Sequence, residues 1–214
     1  MIFLIATSNK DKMIEFSRIL GPLGIEIKMP HELGLELPEV DETGTTFKEN
    51  AMLKAEAGAA FSGLPTLADD SGICVDALGG APGIFSARYS GDEAGAKLDK
   101  NKANNEKLLR ELEGVPMEER TAHYTCAIAC VMPDGRKYLA EGYCYGHIGF
   151  EERGTNGFGY DPLVLINVEA EATEGAEPGT LTVGEIDPDV KDSFSHRSRA
   201  LHKMCDILNE VLYD

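Results

Sequence analysis

The chain has 214 residues, enough to bury a substantial core as one large domain or two closely joined lobes. Its 37 Asp and Glu outnumber 20 Lys and Arg for a net charge of −17, which repels a phosphate backbone at long range and argues against non-specific nucleic-acid binding. No apolar run approaches the roughly 18 residues that cross a bilayer. The apolar opening Met1-Ile2-Phe3-Leu4-Ile5-Ala6 is followed, not preceded, by Lys10 and Lys12, the wrong order for a secretory signal. A cytosolic protein is expected. Because the surface also repels a free nucleotide, any phosphate site must carry clustered cations or a bound metal.

Residues 2–6 form a continuous apolar run, consistent with a buried first strand. It stops at Thr7-Ser8-Asn9, after which Met13, Phe16, Ile19 and Leu20 recur at helical spacing until Gly21-Pro22. A second strand is predicted near 25–29. Thr46-Phe47-Lys48-Glu49 has the form of a capping box and opens a helix through Ala51, Ala55 and Ala59 that ends near Ser62-Gly63. Residues 66–68 read as a short strand leading into a polar loop, Asp69-Asp70-Ser71-Gly72, with another strand over 73–78. Gly79-Gly80-Ala81-Pro82-Gly83 is a loop, and a helix rich in Lys, Asn and Leu is predicted over 94–112. Residues 124–132 and 137–148 read as long strands joined at Pro133-Asp134-Gly135, a hairpin signal. Residues 169–180, acidic and rich in Ala and Gly, read as a solvated loop without a function. The last helix starts at about Ser195, with Leu201, Met204, Leu208 and Val211 as its apolar stripe. Alternating strands and helices followed by a hairpin predict an α/β fold with a mixed sheet.

The cysteines are Cys74, Cys126, Cys130, Cys144 and Cys205, an odd number with no paired Cys-x-x-Cys at zinc-ribbon spacing. Cys126 and Cys130 fall on one face of a strand-like run, and the set reads as small buried hydrophobes.

Polar clusters at the predicted loops together suit a triphosphate. Thr7-Ser8-Asn9-Lys10-Asp11-Lys12 offers hydroxyl, amide and ammonium donors at a strand-to-helix turn, where backbone N–H groups favour anions; Ser-Asn before a helix is equally a plain cap. Asp41-Glu42-Thr43-Gly44 and Asp69-Asp70-Ser71-Gly72 bring acids together, which is costly unless a cation offsets their repulsion. Mg²⁺ takes one or two carboxylates and completes its shell with water and substrate phosphates, and Glu42 and Asp70 fit that scheme; a turn capped by Asp69 and Asp70 is the competing reading. No His or Cys lies near these acids, which disfavours zinc. In Gly154-Thr155-Asn156-Gly157-Phe158-Gly159-Tyr160-Asp161-Pro162 the glycines permit close approach to a ligand, and Phe158 and Tyr160 offer flat faces for a purine. Stacking tolerates any base, so Asp161, Lys191, His196 and Arg197 are the candidates for choosing one. There is no Gly-x-x-x-x-Gly-Lys-Ser/Thr P-loop, Gly-x-Ser-x-Gly elbow or His-Glu-x-x-His motif.

These motifs, in this order, resemble the inosine triphosphate pyrophosphatase family. The resemblance runs through Ala6-Thr7-Ser8-Asn9 with Lys12 and Glu15, Glu42-Thr43-Gly44-Thr45-Thr46-Phe47-Lys48-Glu49-Asn50-Ala51, and Ala68-Asp69-Asp70-Ser71-Gly72. It continues in Gly79-Gly80-Ala81-Pro82-Gly83-Ile84-Phe85-Ser86-Ala87-Arg88-Tyr89, Gly157-Phe158-Gly159-Tyr160-Asp161-Pro162 and Ser195-His196-Arg197. It implies a single elongated α/β domain of two lobes around a long twisted mixed sheet flanked by helices, usually a homodimer. By position, Thr7, Ser8, Asn9, Lys10, Asp11 and Lys12 would bind the triphosphate, with Lys12 its main cation. Glu42 and Asp70 would hold Mg²⁺, Asp70 also being the family's proposed proton acceptor, and Ser71 would contact substrate. Phe158, beside Gly159 and Tyr160, would stack on the base, and Asp161, Lys191, His196 and Arg197 would read its edge. The family has Thr-Gly-Asn where this chain has Thr7-Ser8-Asn9, and serine tolerates positive φ poorly.

The implied activity is Mg²⁺-dependent hydrolysis of ITP, dITP and XTP to the monophosphate and pyrophosphate by in-line attack of water on the α-phosphorus. Two alternatives stand beside it. A Maf-type pyrophosphatase would prefer dTTP or UTP, and a catalytically silent nucleotide sensor would bind ITP without turnover.

Overall fold

The computed structural model describes residues 2–7, 9–22, 24–91, 99–166 and 179–213, with backbone alone at 212 and 213. Six strands, β1 (Ile2–Ile5), β2 (Glu26–Lys28), β3 (Thr66–Val75), β4 (Thr121–Val131), β5 (Lys137–Ile148) and β6 (Val164–Ile166), form one sheet in the order β2-β1-β3-β4-β5-β6. β1 lies parallel to both neighbours, with Phe3 opposite Ile27 and Leu4 opposite Thr66. Parallel pairs need a crossover, and here helices α1 (Lys10–Leu20) and α2 (Phe47–Ser62) provide them. β4 and β5 are joined by the short predicted turn, where the Gly135 N–H donates to the Met132 carbonyl at 2.9 Å. β6 runs antiparallel to β5, with His147 opposite Leu165. The sheet is therefore mixed and carries helices α3 (Lys100–Glu111), α4 (Pro188–Phe194) and α5 (His196–Tyr213) in addition.

The chain divides into two compact units, one formed by Met1–Ser71, Cys126–Gly142 and His196–Asp214, the other by Gly72–Thr125 and Tyr143–Ser195. In the first unit, the strict alternation of β-structure sorts side chains by size. Phe3, Ile5, Leu67, Cys126, Ile128 and Cys130 meet Phe16, Ile19 and Leu20 of α1 and Leu201, Met204 and Leu208 of α5. The intervening Ala68, Ala127, Ala129 and Val131 meet Ala51, Ala55 and Ala59 of α2. A Cβ on Gly58 of α2 would come 2.7 Å from Thr66 Cγ2 and 3.2 Å from Ala6, so small residues on both sides let α2 lie close to the sheet. The second unit has its own core, in which Ile73, Val75, Leu108, Leu112, Tyr124, Cys144, Ile148, Tyr160, Leu163 and Phe194 pack together.

Several expectations are corrected. Asp69-Asp70-Ser71-Gly72 is not a loop: β3 runs unbroken from Thr66 to Val75 and only then turns through a 3₁₀ segment, Asp76–Leu78. Its charged side chains find partners on their own faces, Asp69 with Lys12 and Asp70 with Lys54. The third helix is described from Lys100, capped by Asp99, which accepts from the Asn101 N–H at 2.9 Å; residues 94–98 of the predicted helix lie outside the described residues, as do Ser8 and residues 169–178 of the predicted loop. Helix α4, which starts on Asp187 as cap and Pro188, was not anticipated, because seven residues are too few to show periodicity. The cysteines are all free. Burial pushes the Cys126 and Cys130 thiols up to about 12, leaving them neutral packing groups.

Candidate active site

The unbroken course of β3 decides how its two acids are used. Residues at i and i+1 of a strand point to opposite faces, so Asp69 follows Leu67 toward α1 and α5 while Asp70 follows Ala68 toward α2. Both stand just past the carboxyl end of β1, whose Ile5 pairs with Leu67. In open α/β sheets, that end is where ligands bind.

On the α2 face, Asp70 meets Lys54 and Asn50, which lie one helical turn apart. The Lys54 ammonium donates to Asp70 Oδ1 at 2.8 Å and to Glu42 Oε1 at 3.0 Å. The fully buried Asn50 turns its amide NH₂ to Asp70 Oδ2 at 3.4 Å and accepts from the Gly44 N–H at 2.9 Å. A Cβ on Gly44 would come 2.6 Å from Asn50 Oδ1, so glycine there lets the 41–44 segment approach α2 and deliver Glu42. The capping box of Thr46 and Glu49 fixes the helix start beside it. Burial raises the Asp70 pKa above the ordinary aspartate value, with Glu42 adding to the rise, although Lys54 opposes both. The Lys54 pKa is raised: burial lowers it, but Asp70, Asp69 and Glu42 outweigh that.

On the α1 and α5 face, Asp69 accepts from Lys12 Nζ at 2.8 Å and Arg197 Nη2 at 3.2 Å. Arg197, 1% exposed, also donates to Ser71 Oγ at 2.8 Å and pairs with the buried Glu15 of α1. Ser71 Oγ in turn donates to Asp69 Oδ2 at 3.1 Å. Burial alone would raise the Asp69 pKa, but Lys12, Arg197 and Lys54 hold it well below the carboxylate range. The cations Lys12, Lys54 and Arg197 thus share a small volume with the carboxylates of Glu15, Glu42, Asp69 and Asp70, one negative charge in excess.

At the start of α1 the polar residues are bonded to one another. Asn9 accepts from the N–H groups of Asp11 at 2.9 Å and Lys12 at 3.2 Å, and Thr7 Oγ1 accepts from the Asn9 N–H at 3.2 Å. Asn9 is therefore a cap, and these two amides are engaged. Lys10 and Asp11 are exposed, and the Lys12 ammonium is the cation that α1 turns toward Asp69.

The second unit gathers the remaining candidates. Asp161, 2% exposed, accepts from Tyr124 Oη at 2.9 Å, from Lys191 Nζ at 2.8 Å and from the Phe158 N–H at 2.9 Å. The Lys191 ammonium lies 5.1 Å from the centre of the half-buried Phe158 ring, within cation–π range. Burial and the Asp161 carboxylate hold the Tyr124 phenol well above its usual pKa, so it stays a donor. A Cβ on Gly157 would run into the Asp161 carboxylate, and both Gly157 and Gly159 have positive φ, which glycine adopts without strain. Tyr160 offers no free face: it is 5% exposed in the core, and its hydroxyl donates to the Ser86 carbonyl at 2.8 Å. Lys191 belongs to α4, in the second unit, whereas His196 and Arg197 open α5 in the first.

Lys54, Asn50 and Tyr124 are contributors that sequence reasoning missed. The first two carried a faint signal, a lysine and an asparagine four apart beside an alanine stripe; Tyr124 in an apolar strand carried none.

Buried cations and acids thus gather at the carboxyl end of a parallel strand pair in an α/β protein. Residues 3–207 match the Ham1 family, and the chain belongs to it. It is 45% identical to a dITP/XTP pyrophosphatase of Geobacter sulfurreducens, covering 96% of this chain and 95% of that one. It is 42% identical to a dITP/XTP pyrophosphatase of Bacillus licheniformis, covering 97% and 98%. A HAM1 protein from Coxiella burnetii has the same fold, with a TM-score of 0.80 at 35% identity over 98% of this chain and 99% of that one.

Proposed function

We propose that the chain is a nucleoside triphosphate pyrophosphatase that hydrolyses ITP, dITP and XTP to the monophosphate and pyrophosphate, with Mg²⁺ as cofactor. The observation that carries this reading is the convergence of Glu42 and Asp70, from distant parts of the chain, on one ammonium. The relatives named dITP/XTP pyrophosphatase support the substrate class.

The residues fit a divalent ion. Each carboxylate oxygen is one hydrogen bond from Lys54 Nζ, so the two lie within about 6 Å of each other and need little movement to share a hard cation. The excess of one negative charge in the cluster suits it as well. No group of three or more His, Cys, Asp or Glu poised to hold a metal occurs among the described residues, and Mg²⁺ takes few carboxylates, completing its shell from water and phosphate. Glu42 and Asp70 would hold Mg²⁺, which would supply charge neutralisation on the phosphates.

The chain's own residues do the rest. Lys12, anchored by Asp69, binds the phosphate chain and stabilises the charge that develops on the departing pyrophosphate. A water oxygen attacks the α-phosphorus in line, the bond to pyrophosphate breaks, and the water's proton passes to the Asp70 carboxylate. Phe158 stacks on the base, and the Lys191 ammonium donates to the 6-oxo group. Adenine would present a 6-amino donor to that ammonium, an unpaired and costly arrangement.

Supporting the cytosol as the place of action, all five cysteines are free, and no helix among the described residues is long and apolar enough to cross a membrane. The assembly proposed is a homodimer, which light scattering tests. For the reaction, pyrophosphate release is measured with ITP, XTP, dITP, ATP, GTP, dTTP and UTP, with Mg²⁺ and with chelator. Fast Mg²⁺-dependent release from the first three is expected. Preference for dTTP or UTP would overturn the base reading, and binding of ITP without release would overturn the enzyme.

A further inference from the structure

We infer that Tyr124 is a specificity-determining positioning residue, which fixes Lys191 against the Phe158 ring through the buried carboxylate of Asp161. The inference rests on the reading of Phe158 and Lys191 as the base-binding pair and adds a residue that neither the sequence motifs nor the family resemblance assigned.

The geometry is a three-donor clamp on one carboxylate. Asp161 Oδ2 takes both the Lys191 ammonium at 2.8 Å and the Phe158 N–H at 2.9 Å. Oδ1 takes the Tyr124 hydroxyl at 2.9 Å. With 2% exposure and three donors from its own chain, Asp161 is committed inward, and its effect on a ligand passes through Lys191 and the Phe158 backbone. Rotation of a carboxylate about its Cβ–Cγ bond carries both oxygens off their donors, so the two donors on Oδ2 restrain it and the Tyr124 donor on Oδ1 restrains it further. Tyr124 supplies its donor from a strand, an element more rigid than the glycine-rich loop that carries Phe158 and Asp161.

The direction of the Lys191 N–H groups matters because discrimination between a 6-oxo and a 6-amino purine rests on one directional donor. An ammonium on a flexible stem reads a carbonyl sharply only when its nitrogen is held. Here it is held at 2.8 Å from Asp161 and 5.1 Å from the centre of the Phe158 ring. Loosening the carboxylate should therefore blur the choice of base and leave the chemistry at the α-phosphorus, which uses Lys12, Glu42 and Asp70, unchanged.

The test is Tyr124→Phe in the full chain with Mg²⁺, measuring kcat and KM for ITP and ATP, beside Phe158→Ala and Lys191→Met. Removing one buried hydrogen bond to a charged group should raise KM for ITP by about ten-fold with kcat nearly unchanged, and should cut the ITP-over-ATP preference by a similar factor. In the Lys191→Met background, the same change should leave the preference unaltered, because the clamp then holds nothing. Equal effects on ITP and ATP, or a lowered melting temperature with the preference intact, would make Tyr124 merely structural and overturn the inference. If Phe158→Ala and Lys191→Met raise KM while Tyr124→Phe matches the unaltered protein, the inference fails and the base reading stands. If all three match it, the base reading fails and takes the inference with it.

Discussion

Replacing Asp69 by Asn keeps its shape and removes its charge, which makes it a direct probe of the ion network on the α1 and α5 face. Asp69 is fully buried between Lys12 Nζ at 2.8 Å and Arg197 Nη2 at 3.2 Å. The variant leaves two cations without the anion they share, although Arg197 keeps Glu15. Breaking a buried pair in this way costs about 3–5 kcal/mol. For a chain of this size each kcal/mol shifts the melting temperature by about 2–4 °C, so a fall of about 6–20 °C is expected at pH 7. The pH dependence has a defined sign. The folded pKa of Asp69 is depressed, because Lys12 and Arg197 outweigh the effect of burial. Its stabilisation is therefore complete above the unfolded aspartate pKa of about 3.9 and is lost as pH falls toward the depressed value. Thermal melts of both proteins followed by circular dichroism should show a full gap from neutral pH down to about pH 5, shrinking below about pH 4. A gap under about 2 °C at pH 7, or one that widens toward acid, would refute the assignment of Asp69 as the shared counter-ion.

Asp70→Asn should lower kcat by about 10²–10⁴-fold with a melting temperature equal or higher, since burial disfavours the ionised form it removes; ITP turnover and a melt together check both halves. Lys54→Met leaves Glu42 and Asp70 without their common ammonium, so Mg²⁺ should raise its melting temperature more than that of the unaltered protein; equal shifts argue against metal binding at this pair. Gly142→Ala drives a Cβ into the His196 carbonyl and Ala200 N–H at the start of α5, an overpacking worth about 1–3 kcal/mol that calorimetry should register as a lower melting temperature.

Local chemistry made much of this protein legible in its sequence. The apolar run of β1, the helical spacing of Met13, Phe16, Ile19 and Leu20, the capping box of Thr46 and Glu49 and the hairpin at Pro133-Asp134-Gly135 each depend on neighbours within a few residues. The structure has them where the pattern predicts. Glu42 and Asp70 were recognisable as a pair by residue type, and the structure brings them to one nitrogen.

What the sequence could not decide is what depends on faces and on distance along the chain. Polar residues in a row read as a loop, yet Asp69-Asp70-Ser71 is strand, because partners far away in sequence make its charges tolerable: Lys54 for Asp70, Lys12 for Asp69, and Arg197, which is 128 residues away from Asp69 and 182 from Glu15. The same strand period then sends Asp69 and Asp70 to opposite faces, a division invisible while they are read as a turn. Composition and periodicity indicate strand and helix where the deciding energies are local, as in β1, α1 and α2, but not over Asp69-Asp70-Ser71. Which acid meets which cation is settled only when the packed sheet closes off water, because an ion pair gains its strength from burial that no single segment can provide.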